Sequence, residues 1–437
     1  LHLSIRRQRQ MCIRDSVATD RNPPPLTELT LTFSLADPPN AGAWQLVAHL
    51  RLHPESPMTI SASASASAIL GALPPPPTAT ILRWYWRSYP CWPNDTVRKL
   101  ARYADAQLVD WGCALYQATL STPNLRELIT AWRNAPDPRE RRLVIQADAT
   151  HPTAMTALDL PWELLHDGSN FLLQSKQPVQ FLRRLAGGAE PFTPAPTPLR
   201  ALVVSPRPDT EPTGHPDHRR SALPLLEALD GLSALVEPIV LRSPNLAALE
   251  KQLNDAWAAG RLFTTLHLDC YLREGPNRGD ILFGFEAGHN VDAPLCRNAD
   301  FIAAPVLAAL LCTYRIRLVT LVRRPDLSDS TLMSRLVTLL LTAGVAAVVT
   351  VHPDAPLETL RRFWSAFYEE LLRGARISQA LFAGQRRLAN DSYRAPGLGG
   401  IGVHLRDWSI CALYLGQHDP RLVLRPPLDL WRWLISA

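Results

Sequence analysis

From Leu199 to Leu415 the chain alternates short apolar runs with amphipathic stretches, a pattern that very few folds accommodate. RALVVSP reads as a first strand and is followed by a helix through Leu223 to Leu229. EPIVL is a second strand, after which Ser243, with Pro244 at the first helical position, opens a helix up to Ala259. FTTLHLD is a third strand, GDILFGFEAG a hairpin, and Asp300 caps a helix through Leu311. RLVTLV is a fourth strand; a helix from Ser330 leads through a turn at Gly344 into the fifth, VAAVVTV. Pro356 begins a long helix through FWSAFYEELLRG, and one more helix ends in ALFAGQRRLAND. Strands separated by helices cannot pair through tight hairpins, so the expected product is a mainly parallel sheet with crossover helices on both faces. Such a sheet binds ligands in the crevice at the carboxyl ends of its strands.

Upstream, LTELTLTFSLADP and AWQLVAHLRLHPE alternate with period two around a Pro/Asn/Gly turn, which predicts a β-hairpin in an N-terminal β segment, 17–60. Residues 61–77, with alternating Ser and Ala to Ala68 and a polyproline run from Pro74 to Pro77, read as a solvated linker. Trp84, Trp86, Trp92, Trp111 and Trp132, around an amphipathic stretch from Val97 to Tyr116, predict a helical lobe with a Trp-rich core. Residues 78–190 form this lobe, 199–424 the α/β core and 425–437 a tail. Residues 1–16, which include QMCIRDS and start at Leu1, read as the translation of a sequencing-library adaptor and are set aside; further domains on either side are compatible with this reading.

With 437 residues and 46% hydrophobic content the chain can bury a large core. A net charge of +5 with scattered arginines argues against a nucleic-acid partner. The longest apolar run, Leu336 to Val351, is too short to span a bilayer and is interrupted by Thr338, Thr342 and Gly344, so no membrane partner is expected. Seven irregularly spaced cysteines suit neither a disulfide framework nor zinc, which points to a reducing cytoplasm. No metal motif or Gly-rich phosphate loop is visible, and no cofactor is expected.

The segment LDLPWELLHDGSNFLLQSKQPVQFLRRL adds a more specific signal. Pro161 and Trp162 would wedge a buried turn, Glu163 would serve an arginine or backbone donors, and Arg183 and Arg184 would end an apolar strand. Together with FYEELLRG and the closing DWSICALYLGQHDP, this segment resembles the CHAT domain, a bacterial module of the caspase-like and separase-like cysteine peptidase clan, over residues 78–424. The resemblance implies an α/β, caspase-like, mainly parallel sheet with helices on both faces, preceded by the β-hairpin and the Trp-rich helical lobe. It also implies a histidine after the third strand, in a pattern like H-F-D-C-H-G, serving as base for a cysteine after the fourth, in a pattern like L-N-A-C-x-S.

Neither pattern is intact. The third strand reads His267, Leu268, Asp269, Cys270 and passes directly to Tyr271, so the His-Gly pair is absent. The fourth ends in Arg323, Arg324 and Pro325, with Arg324 where the nucleophile would stand. A guanidinium has no nucleophilic lone pair at any relevant pH, and proline lacks the N–H an oxyanion could use. Both losses keep register with their flanking elements, which argues against a read error. His267 and Cys270 are three apart on one strand and so face opposite ways; His267 reads as a satisfied buried histidine and Cys270 as an inert thiol. Cys113, Cys91, Cys296 and Cys411 have no evident histidine partner in the sequence. The expectation is a pseudopeptidase with no catalytic residues, acting on protein partners as a binding or regulatory module in a bacterial signalling or defence assembly. The alternative is an active cysteine endopeptidase with a relocated nucleophile such as Cys270.

Overall fold

The computed structural model describes residues 26–35, 44–51, 59–65, 73–74, 77, 79–91, 93–135, 140–148, 156–186, 193–195, 197–206, 222–242, 244–277, 279–287, 299–323, 330–395 and 402–424. In chain order, β1 (Leu26–Leu35) and β2 (Trp44–Arg51) form the expected antiparallel hairpin, with Leu31 opposite Ala48. β3 (Thr59–Ser65) then extends it. Residues 61–65 were expected in a solvated linker; instead they form an edge strand. Alternating small residues without proline or glycine leave every backbone group free to pair, and the open edge of β2 supplies the partners.

The helical lobe holds α1 (Asp95–Thr119) and α2 (Arg126–Asn134). Asn94 caps α1 by accepting the Val97 N–H at 2.9 Å. Trp86, Trp111 and Trp132 are buried, as the Trp-rich core requires, while Trp92 lies outside the described residues.

β4 (Glu140–Asp148) and β5 (Val179–Ala186) run parallel to β1, so the hairpin joins the main sheet. The chain continues through β6 (Leu199–Val204), α3 (Ala222–Asp230), β7 (Val236–Val240), α4 (Leu246–Ala258), β8 (Thr265–Cys270), β9 (Leu272–Glu274), β10 (Ile281–Glu286) and β11 (Ala299–Ala303). It ends with α5 (Ala304–Thr313), β12 (Leu318–Arg323), α6 (Ser330–Ala343), β13 (Ala347–Val351), α7 (Leu357–Leu372), α8 (Ile377–Asn390), the short β14 (Tyr393–Arg394) and β15 (Val403–His404), and β16 (Cys411–Leu415).

Eleven strands form one sheet in the order β3-β2-β1-β4-β5-β16-β13-β12-β8-β6-β7. Only the β1–β2, β2–β3 and β13–β16 contacts are antiparallel. The β6–β7 crossover moves one way along the sheet and the β7–β8, β8–β12 and β12–β13 crossovers move the other. Right-handed connections therefore put α3 on one face and α4, α5 and α6 on the opposite one. α7 packs on α3 and α8, and α5 packs on α6.

Two helix starts differ from expectation. Asn245 caps α4 by accepting the Ala248 N–H at 2.8 Å, so the helix begins at Leu246 and Pro244 lies before it; Ser243 itself lies outside the described residues. Asp300 lies in β11 opposite Phe285, and α5 begins only at Ala304, since cross-strand pairing consumes the residues before it.

The turn at Trp162 is held from several sides. Arg183 lies inside β5 rather than at its end, and its guanidinium forms a bidentate pair with Glu163 at 2.6 and 2.8 Å. It also donates to the carbonyls of Leu158 and Leu160 at 2.6 and 2.9 Å. The Trp162 indole donates to Ala157 O, and Asp159 accepts from Ser334 of α6 and Tyr414 of β16. One turn thus joins the sheet to a helix on its face.

Gly112 sets how closely α1 approaches this turn, since a Cβ there would lie 2.0 Å from Leu164 O. Gly112→Ala gains helix propensity worth about 1 kcal/mol. The clash falls on backbone and should outweigh that gain, for a net loss of about 1–3 kcal/mol read as a lowered urea midpoint. An unchanged or raised midpoint would contradict the close approach.

Candidate functional site

The carboxyl ends of β8 and β12 form one edge. The strands run parallel, with Asp269 beside Val322 and Cys270 beside Arg323. The two segments singled out in the sequence therefore start one strand spacing apart, about 5 Å. Arg324, Pro325 and Asp326 lie outside the described residues, and of Arg323 only the backbone is described.

His267 and Asp269 share one face of β8, and Cys270 points to the other. The His267 ring is 3% exposed and meets the Trp364 ring of α7 edge-on, centroids 6.2 Å apart. Its Nε2 is 3.8 Å from Asp269 Oδ1, beyond hydrogen-bond reach. Neither ring nitrogen has a hydrogen-bond partner among the described residues, which corrects the expectation of a satisfied histidine: strand parity and the aromatic face of α7 put no polar group in reach. Burial pushes the imidazole pKa down, and Asp269 opposes this only in part.

Cys270 is fully buried, with Sγ 3.6 Å from Leu268 O. Burial pushes the thiol well above its ordinary value, and the Asp269 carboxylate adds to the shift. Thiolate is the reactive form, so this cysteine is chemically quiet, and no imidazole shares its side of the strand.

Tyr271 is the single residue between β8 and β9. Its carbonyl accepts the Gly284 N–H at 2.8 Å and its ring packs on Phe301 at 5.3 Å. A Cβ on Gly284 would lie 2.3 Å from that ring. The chain thus leaves the main sheet and enters the three-stranded β9–β10–β11 sheet with Tyr271 alone between the two.

No sequence motif pointed to a different thiol–imidazole contact. Cys113 Sγ of α1 lies 3.2 Å from His166 Nδ1, and Gly168 N–H donates to the same nitrogen at 3.1 Å. Two donors aimed at Nδ1 make it the unprotonated nitrogen and Sγ–H a donor. Burial pushes the Cys113 thiol up and the His166 imidazole down, so the pair is neutral near pH 7. Fifty-three residues separate the two, and only the close approach at Gly112 brings them together. Among the described residues no cluster of three or more metal-ligating side chains is present, and no helix is long and apolar enough to cross a membrane.

Because the folded-state pKa of His267 lies below its ordinary 6.5, the unfolded chain binds the proton more readily. The stability of neutral His267 is complete above pH 6.5 and is lost as pH falls from there toward the depressed value. Urea midpoints should therefore drop between pH 7.5 and 5.5, and His267→Phe should drop less; His166, shifted the same way, supplies a remaining slope. Equal drops in both proteins would contradict the assignment.

An α/β fold built on a mainly parallel sheet, with the carboxyl ends of β8 and β12 side by side, defines the class. The CHAT domain family model matches residues 110–421, more than half of the chain, and the chain belongs to the CHAT domain family. That match begins within α1, later than the boundary at residue 78 drawn from motifs alone. No curated protein matches. Among solved structures the chain is similar to two crystal structures of the Saccharomyces cerevisiae separase–securin complex, at 10% and 9% identity with TM-scores of 0.41 and 0.35. Each similarity covers 89% of this chain and 30% of the other, so the chain spans under a third of their length.

Proposed function

We propose that the chain is a pseudopeptidase: a CHAT-domain protein that keeps the peptidase scaffold as a binding or regulatory module for protein partners in a bacterial cytoplasmic signalling or defence assembly. The observation that carries this reading is the direct passage from Cys270 through Tyr271 into β9, which leaves no loop for a base beside the β12 edge. The buried Cys270 thiol, facing away from His267, supports it further. In this reading Asp269, Tyr271, Arg323, Arg324 and Pro325 are remnants of the site, and no metal or cofactor takes part.

The Cys113–His166 contact favours one second reading, a peptidase with a relocated nucleophile. Its weakness is the neutral state of the pair, since a competent dyad needs a ready thiolate. Labelling the full chain with thiol-reactive peptide probes, followed by mass spectrometry, separates the two. The pseudopeptidase reading expects no cysteine modified faster than in a small model thiol. Rapid labelling of Cys270 overturns it, and rapid labelling of Cys113 that is lost in His166→Gln overturns it in favour of the relocated dyad.

A further inference from the structure

The rim at the amino ends of β8 and β12, on the far side of the sheet from the degenerate edge, carries a cluster that neither the fold nor the family site explains. The last turn of α4 exposes Trp257, 42% accessible, and the end of α5 sets Tyr314 edge-on against it, centroids 6.1 Å apart. The next residue, Arg315, has φ +57°, and no other non-glycine among the described residues has a positive φ. It sits just past the helix end, in a position that glycine fills at no steric penalty and that a long side chain occupies under strain. The strained backbone places the exposed guanidinium over the Trp257 ring, 5.3 Å from its centroid.

Charge on this rim is unbalanced. Arg200, Arg261 and Arg317 lie at the same strand ends: Thr264 N–H donates to Arg200 O, and Arg317 N–H to Thr264 O. Glu237 pairs with Arg261 at 2.6 Å and approaches Arg200 at 3.3 Å, while Asp255 on α4 is taken up by Lys251. Among the described residues no carboxylate lies within ion-pair distance of Arg315. Arg315 also presses on Arg317, whose pKa is lowered by burial and by that like charge. The carboxyl ends of α4 and α5 contribute only about half a negative charge each. Three guanidinium groups, those of Arg200, Arg261 and Arg315, against the single carboxylate of Glu237 and two half-charges leave a positive rim beside an exposed aromatic wall.

We propose that Trp257, Tyr314 and Arg315 form a docking surface for an acidic segment of a partner protein that carries an apolar side chain, its carboxylates meeting Arg315 and its apolar group lying on Trp257. A planar guanidinium backed by an indole is a preorganised fork for carboxylates. A nucleic-acid strand is the weaker fit, because it needs a cationic track for successive phosphates, whereas these arginines cluster at one point. The surface stands whether or not the chain hydrolyses peptide, since it shares no residue with the β8–β12 carboxyl edge.

Binding of two fluorescein-labelled peptides, one alternating Glu with Leu and one Lys with Leu, to the full chain tests this by anisotropy at low salt, with an oligothymidine of similar length as third probe. The Glu peptide should bind, the Lys peptide should not, and added salt should weaken the complex. Arg315→Gly should weaken binding by about tenfold or more, the loss of one charge-assisted contact, without lowering the Tm, because glycine relieves the strained position. Trp257→Ala should weaken it as well, with the fold checked by its Tm. No binding of the Glu peptide, binding unchanged in Arg315→Gly, or tighter binding of the oligothymidine would each overturn the proposal.

Discussion

The unmodified protein should hydrolyse no member of a mixed fluorogenic peptide library, whether the P1 residue is basic, acidic or apolar. Relatives depend on a histidine base and a cysteine nucleophile, and losing either member of such a dyad typically costs several orders of magnitude in turnover. Arg324→Cys alone should restore nothing, since no group is placed to take the thiol proton: His267 is buried against α7 and Tyr271 fills the place where β8 ends. Reinserting His-Gly after Cys270 together with Arg324→Cys is the variant expected to recover turnover. The insertion must move Tyr271 off Gly284 and Phe301, so its Tm has to accompany the rate. Turnover by the unmodified protein that disappears in Cys270→Ala would overturn the expectation, despite the buried thiol.

The second large effect is on stability. Arg183 and Glu163 are 2% and 1% exposed, so each removes the other's desolvation penalty. The Arg183 pKa lies above its ordinary value because the Glu163 carboxylate outweighs burial. Arg183→Met leaves a buried carboxylate uncompensated and two carbonyls, Leu158 O and Leu160 O, without their donor. The expected loss is about 3–5 kcal/mol, read from urea midpoints. Glu163→Gln should cost less, because the amide still accepts from the guanidinium. Combining the two should cost clearly less than the sum of the single losses, since no lone charge then stays buried. Strict additivity, or a loss under about 1 kcal/mol for Arg183→Met, would show that the turn is held by its apolar contacts alone.

The same turn shows where sequence reasoning reaches and where it stops. LPWELL and the paired arginines pointed to a buried wedge with a cation nearby, yet not to which arginine faces inward. Both faces of β5 are buried around them, so parity does not choose; the docked turn does, placing Glu163 against Arg183 while Arg184 faces Glu28 on β1. Ser243 and Asp300 were reasonable caps by residue type. Asn245 caps the helix and the β10–β11 pairing takes Asp300, because a cap is chosen by which side chain reaches a free amide once the flanking elements are docked. The Ser/Ala tract looked like a linker by composition, but composition cannot register that β2 had an open edge.

What the sequence determined by itself was the set of local periodicities: the alternating strands and helices from Leu199 to Leu415, the N-terminal hairpin and the Trp-rich helical lobe. These depend on residues a few positions apart, whose spacing fixes which face each side chain takes. Tertiary structure alone decided that the hairpin joins the main sheet through β1 and β4, that His267 is left without a hydrogen-bond partner among the described residues, that Cys113 meets His166, and that Arg315 lies over Trp257. Each of these depends on burial and on pairs far apart in the chain, and no local spacing encodes which distant group will exclude water from a given side chain.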